Sequence, residues 1–112
     1  MDADEPSLVI DASEVIVATS PAFESLVGLH RPAAGQGLLD GVLQLLDFAD
    51  GGELAGAEIG KIPPLLALTS GRLARGLLRL RCGDTACTLD AIATPLFSGG
   101  ATVGSLTFFS RV

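Results

Sequence analysis

The stretch Val15–Leu29, VIVATSPAFESLVGL, changes abruptly from a strand pattern to a helix pattern. Glu14–Thr19 is a short β-branched run, and Ser20-Pro21 follows it directly. A serine at an N-cap accepts a backbone N–H, and a proline at the first helical position loses no needed donor. Because glycine commonly ends helices, Gly28 completes the pattern. We therefore predict a strand over residues 14–19 and a short helix over residues 20–28.

The flanking segments extend this assignment in both directions. Ser7–Asp11 is a second short apolar run, so the first 19 residues predict a hairpin. Leu38–Phe48 carries apolar residues at helical spacing and predicts a helix. Residues 63–70 begin with two prolines and stop at Gly71, which predicts another short helix. Residues 53–61 are ambiguous between helix and loop.

The last third of the sequence predicts strands. Residues 75–82 alternate, with Leu78, Leu80 and Cys82 facing one way, and residues 83–86 read as a turn. Cys87–Phe97 is a longer strand in which Pro95 indicates an edge or a bulge. Residues 101–111 form the final strand. Two separate small sheets would leave edges exposed, so we predict an α+β domain with one five-stranded antiparallel sheet and helices on one face.

The composition fits a single domain over residues 1–112. Hydrophobic residues make up 48% and charged residues 18%, which excludes a disordered chain. The net charge of −6 argues against a nucleic-acid partner, and the arginines of residues 72–81 read as a solvated strand face. No apolar run is long enough to span a membrane, and the N-terminus is acidic where a signal peptide would be basic. We expect a cytoplasmic chain with reduced cysteines, no nucleic-acid partner and no membrane contact by this segment.

With these elements placed, Val15–Leu29 resembles the strand-to-helix entry of PAS domains, and residues 79–112 resemble the closing strands of that family. Ser20 stands where the family usually has Asn, and the closing Asp-Ile-Thr signature is cut off after Val112. The resemblance covers roughly residues 7–112 and implies the spatial strand order 2-1-5-4-3. The positions that match are Pro21, Ala22, Phe23, Gly28, Pro95, Leu96, Gly104 and Arg111.

Side chains that carry catalysis are scarce. The one histidine, His30, lies in a loop and reads as a solvated residue, and a nucleophile–base pair would have to combine it with Cys82 or Cys87. The turn over residues 83–86 would place the two cysteines directly opposite each other. We expect them to be buried thiols, with oxidation or metal sharing as the alternatives. We therefore expect no catalytic residues and no metal site.

The resemblance implies three tests for a cofactor. Haem-binding relatives usually carry a histidine on the helix before the third strand, and residues 62–70 contain none. Photoactive flavin relatives need a cysteine within an Asn-Cys-Arg motif on a helix, whereas both cysteines here lie on predicted strands. The pigment-binding type relies on tyrosine, which this chain lacks. We expect no cofactor, and in particular neither haem nor flavin.

A cleft between the helices and the sheet is the remaining place for a ligand. Either apolar side chains fill this cleft or a small apolar ligand occupies it. The candidate ligand-binding residues are Phe23, Leu26, Leu43, Leu46, Leu66, Ile92 and Leu106.

The outer face of the sheet is the candidate interface. Phe108 and Phe109 are adjacent, so in a regular strand they point to opposite faces and one of them leaves the helix-covered core. Exposed apolar patches mark interaction sites, and a symmetric dimer buries such a patch on both partners. We therefore predict a homodimer through this face.

The resemblance implies a sensory or protein-interaction module of a bacterial signal-transduction protein, such as a histidine kinase of a two-component system. Such a module is not itself an enzyme and works with an effector domain or a partner signalling protein. We expect the domain to be excised from a longer chain. The alternative is a stand-alone small-molecule-binding or adaptor protein, and a small enzyme has the least support because catalytic side chains are scarce.

Overall fold

One antiparallel sheet with short helices against one face forms the fold in the computed structural model, which describes residues 5–29, 32–40, 42–49 and 51–112. Over these ranges the sheet has six strands in the order β2-β1-β6-β5-β4-β3. The order predicted for five strands is confirmed, and β3 adds a sixth at one edge. The elements are β1 Ser7–Asp11, β2 Ile16–Thr19, α1 Pro21–Val27, β3 Leu45–Leu46, α2 Gly56–Ile59, α3 Pro63–Ser70, β4 Ala74–Cys82, β5 Thr85–Ser98 and β6 Ala101–Arg111.

The predicted capping of α1 is confirmed. The Ser20 side chain accepts a hydrogen bond from the Phe23 backbone N–H at 3.2 Å, and Gly28 ends the helix in the left-handed conformation. Ser20 also accepts from the Ser7 backbone N–H at 3.0 Å, and its hydroxyl donates to the Glu5 carbonyl at 2.8 Å. One buried hydroxyl therefore fixes the start of α1 against the start of β1.

The helix predicted over residues 38–48 is wrong. The described part of this segment is irregular except for β3, whose Leu45 and Leu46 pair with Leu80 and Arg79 on the edge of β4. Five of its apolar side chains are buried and two, Leu39 and Phe48, are exposed, so most of the segment contributes to the core without being helical. Pairing with the free edge of β4 satisfies the backbone groups there and overrides a weak helical preference.

The alternation predicted for β4 is confirmed, since Leu78, Leu80 and Cys82 are buried. The turn predicted over residues 83–86 is two residues shorter, because Cys82 already pairs with Thr85. Pro95 lies beyond the last β4–β5 pair, where β5 bonds to β6 alone, and a bulge follows it. The predicted edge position of the proline is therefore confirmed. No helix among the described residues is long and apolar enough to cross a membrane.

The core is centred on the contact between α1 and β6. Phe23 is fully buried, and its ring centroid lies 5.3 Å from that of Phe109. Aromatic pairs at this separation add to the stabilisation from burial alone. The contact fixes which face of the sheet α1 covers.

Replacing Phe23 with alanine is expected to lower the free energy of unfolding by about 3–5 kcal/mol, because the site is enclosed and cannot collapse fully around the smaller side chain. Phe48→Ala is the matched control, since Phe48 is 54% exposed and its loss is expected to change stability by less than about 1 kcal/mol. Urea titration of both variants measures the difference. Equal midpoints for the two would show that α1 does not pack on β6 as described.

Candidate functional sites

The predicted ligand residues do not gather around one cleft. Leu43 and Leu46 are buried near the β3 edge, and Leu26 lines a different groove beside α1. Phe23 lies in the closed core rather than on a cavity wall. The prediction that these seven residues share one cleft is therefore wrong.

Three further members of that set do not point into the space between the helices and the sheet. Leu66 lies on the outer side of α3 and is 41% exposed, because the inward positions of this helix are Pro63, Pro64, Leu65 and Ala67. Ile92 and Leu106 lie on the opposite face of the sheet. Their neighbours Ala91, Ala93, Ser105 and Thr107 are the buried, helix-facing residues.

Small residues allow α3 to pack closely on the centre of the sheet. Ala67, Ala74 and Ala93 form one buried cluster, and the Ser105 hydroxyl donates to the Pro64 carbonyl at 2.8 Å. Because α3 packs closely on these small residues, little room is left there for a ligand. The open space therefore lies at the edge of the sheet and beside α1 instead of under α3.

We call the cavity beside β3 the edge cleft. Its volume is about 460 Å³, within the usual range for small-molecule sites. Its accessible wall is about equally polar and apolar, with one cation and one anion, and neither Arg81 nor Glu53 forms an ion pair within the described part of the chain. The lining residues are Leu39, Leu43, Gln44, Leu45, Leu46, Gly51, Gly52, Glu53, Leu54, Ile59 and Arg81.

The uncovered face of the sheet carries a second candidate site. Phe109 points into the core at 3% exposure and Phe108 points outward, as the strand alternation predicts. Phe108 pairs with Ile92 across β5–β6, and Leu106 pairs with Val9 across β1–β6. We call Val9, Ile92, Leu106 and Phe108 the open-face patch.

An ion pair borders this patch. Arg75 lies opposite Ile92 in the sheet and binds Asp90 with two hydrogen bonds, of 2.6 Å from Nη2 to Oδ2 and 3.2 Å from Nε to Oδ1. The hydrogen bonding from Arg75, helped by its positive charge and opposed by partial desolvation, lowers the pKa of the Asp90 carboxyl. The sequence holds a signal for this pair, because residues 75 and 90 become neighbours once the hairpin is counted outward from a two-residue turn.

The two cysteines lie on the helix-covered face and are joined in a disulfide. The expectation of reduced thiols is therefore wrong for this structure, as is their direct opposition, since Cys87 pairs with Leu80. His30, the remaining candidate for catalysis, lies outside the described residues. No group of three or more potential metal ligands occurs within residues 5–29, 32–40, 42–49 and 51–112.

No family model and no curated protein matches the sequence. Solved structures do match it. The PAS domain of a protein from Colwellia psychrerythraea superposes with a TM-score of 0.70 over 96% of this chain and 86% of that one, at 17% identity. The chain has the PAS fold. A light-oxygen-voltage domain studied with a flavin analogue matches the PAS fold of this chain with a TM-score of 0.72, at 20% identity, over 98% of this chain and 78% of its own.

A third PAS-fold match corrects the expectation about nucleic acid. VqmA from Vibrio cholerae, described as a dimer with a target DNA among LuxR-type receptors, matches with a TM-score of 0.71 and 16% identity over 96% of this chain. The match covers 46% of VqmA, so this chain spans about half the length of that protein. The exclusion of a nucleic-acid partner is wrong, because the net charge of a PAS domain does not determine what a protein containing that domain binds.

Arg75→Gln is expected to raise the pKa of Asp90 toward its ordinary value, because the hydrogen bonds that favour the carboxylate are lost. A lowered folded-state pKa means that the pair stabilises the fold above the unfolded-state pKa and loses this contribution as the pH falls through the folded-state pKa. NMR titration of the Asp90 carboxyl carbon in both proteins measures the change. An unchanged pKa in the variant would show that the two side chains are not paired in solution.

Proposed function

We propose that the chain is a sensory PAS module of a bacterial signal-transduction protein and associates with a second copy of itself through the open-face patch. The observation that carries the proposal is the patch itself, in which Val9, Ile92, Leu106 and Phe108 form two cross-strand pairs on the face without helices. Contiguous apolar surface of this kind marks interaction sites.

A second copy is the partner that suits this surface best. In a two-fold arrangement each apolar residue meets the same apolar set, so the patch is complementary to itself. The Arg75–Asp90 pair at its border presents both charges, which allows each arginine to approach the partner's aspartate at the rim. The net charge of −6 opposes association weakly, because charges beyond about 8 Å are screened at physiological salt.

The module is proposed to be non-catalytic and to act in the cytoplasm on an effector domain or a partner signalling protein, of which a histidine kinase is one kind. The sequence supports the first part, because it holds one histidine and two cysteines as candidates for catalysis. Arg75 and Asp90 are engaged with each other, and the two cysteines are bonded together.

Wild-type protein is expected to show a concentration-dependent mass in sedimentation equilibrium across the micromolar range. Phe108→Ser is expected to weaken the dimer by at least about tenfold, as loss of a central aromatic anchor typically does. Phe97→Ser is the matched control, because Phe97 is 58% exposed and lies near the end of α3 instead of on the patch. A strict monomer, or a dimer insensitive to Phe108→Ser, would contradict the proposal.

A second candidate function is the binding of a small, largely apolar molecule in the edge cleft, with a polar or anionic group near Arg81. The volume of the cleft and the presence of Arg81, which forms no ion pair within the described part of the chain, favour this function. Neither haem nor flavin is proposed as the ligand, because residues 62–70 hold no histidine and neither cysteine lies in the Asn-Cys-Arg motif that the resemblance would require.

The purified protein is therefore expected to have no visible absorbance band, and native mass spectrometry is expected to detect a colourless adduct below the size of a flavin. Leu39→Arg, on the wall of the cleft, is expected to abolish the adduct because it adds charge and bulk there. Leu73→Arg, exposed elsewhere, is expected to retain it. A coloured protein, or an adduct kept by Leu39→Arg, would argue against this site.

A further inference from the structure

The disulfide links two strands at the end of a hairpin. Cys82 pairs with Thr85 and Cys87 with Leu80, so the cysteines are diagonal neighbours on the helix-covered face. Their Cα atoms are 6.1 Å apart, inside the range of about 4.4–6.8 Å that disulfides span. The register of the two-residue turn therefore brings the cysteines together without any displacement of the strands.

The two cysteines differ in their exposure to solvent. Cys82 is 9% exposed and belongs to the hydrophobic core, whereas Cys87 is half-buried and packs against the core from outside. A thiolate arriving from solution reaches the sulfur of Cys87 first. Cys82 is then the leaving sulfur, and exchange depends on which sulfur is accessible as well as on thiol pKa.

The residues that flank Cys82 connect this end of the hairpin to the rest of the helix-covered side. The Arg81 backbone N–H donates to the Gln44 carbonyl at 3.0 Å, which holds the segment before β3. Gly83 lies against Gly28, the C-cap of α1, so closely that a Cβ added at Gly28 would stand 3.3 Å from the Gly83 Cα. We call these two contacts the hairpin junction.

We propose that Cys82–Cys87 is a reversible redox site for thiol–disulfide exchange with small thiols of the glutathione class, and that its state sets the order of the hairpin junction. This inference rests on the cytoplasmic location proposed above, since disulfides in the cytoplasm are usually transient or redox-sensing, not structural. The proposal depends on neither the open-face patch nor the edge cleft.

The exchange balances in two steps. The thiolate of a small thiol attacks Sγ of Cys87, the Cys82–Cys87 bond breaks, and Cys82 leaves as a thiolate that takes up a proton. A second small thiol attacks its counterpart in the mixed disulfide and releases Cys87 as a thiol. Two small thiols are oxidised to one disulfide, and the protein gains two electrons and two protons.

The redox state is tested by equilibrating the intact chain in glutathione buffers of varied ratio, followed by alkylation and mass measurement. As the ratio of reduced to oxidised glutathione rises, we expect a single two-electron transition of the protein from disulfide to dithiol. Cys82→Ser is expected to leave a rapidly alkylated Cys87, and Cys87→Ser a slowly alkylated Cys82. A pair that remains thiol in oxidised glutathione, or disulfide in excess reduced glutathione, would overturn the proposal.

The coupling is tested by hydrogen exchange of the same samples. Reduction is expected to speed exchange of the Arg81 and Leu29 amides by at least about tenfold, while amides in the β1–β6 pair keep their protection. The double variant Cys82→Ser/Cys87→Ser is expected to reproduce the reduced pattern without any reductant. Identical exchange at the hairpin junction in both redox states would show that the disulfide does not control it.

Discussion

The buried hydroxyl of Ser20 is the constraint on which the arrangement of this PAS-fold chain depends. It donates to the Glu5 carbonyl and accepts from the Ser7 and Phe23 backbone N–H groups, so a single side chain ties the first strand to the first helix. At 3% exposure these bonds are not exchanged with water, and an unpaired group in their place would be costly. With the start of α1 held in this way, Phe23 meets Phe109, and the helix-covered face of the sheet is determined.

Small residues then decide where space remains. A close approach of α3 to the sheet requires the alanines at 67, 74 and 93, and the bond from Ser105 to the Pro64 carbonyl holds the helix in place. The centre of the domain is consequently solid. What the fold leaves open is peripheral: a cleft beside the shortest strand, a groove beside α1, and an apolar strip on the uncovered face.

The sequence predicted the elements whose determinants are local. Ser20, Pro21 and Gly28 specify α1 within nine residues. Because Phe108 and Phe109 are adjacent in a strand, one of the two rings has to lie on the uncovered face. Residues 38–48 were misjudged because their apolar spacing suits a helix, whereas a distant strand edge turns two of them into β3.

The candidate site was harder to predict for the same reason. Which of Ala91 and Ile92 faces the helices depends on the packing of α3, which no neighbouring residue encodes. The partner of Cys82 depends on whether the turn holds two or four residues, and a shift of two positions replaced Cys87 with Thr85. The face of the sheet that a side chain occupies and the number of residues in a turn are both determined by contacts between residues far apart in the chain.

The two-residue strand β3 has a bearing on how copies of this domain meet. Sheets can grow by adding a strand from another molecule to an unpaired edge, and long bare edges invite aggregation. Here Leu45 and Leu46 occupy part of the β4 edge, and Leu46 is itself bridged to Glu53. The rest of the β4 edge is unsuited to pairing with a strand of another molecule, because β4 carries three arginines and its Gly76 packs against Pro63. Continuous cross-molecular sheets through this edge are thereby disfavoured, which favours stacking of one sheet on another as a geometry for assembly.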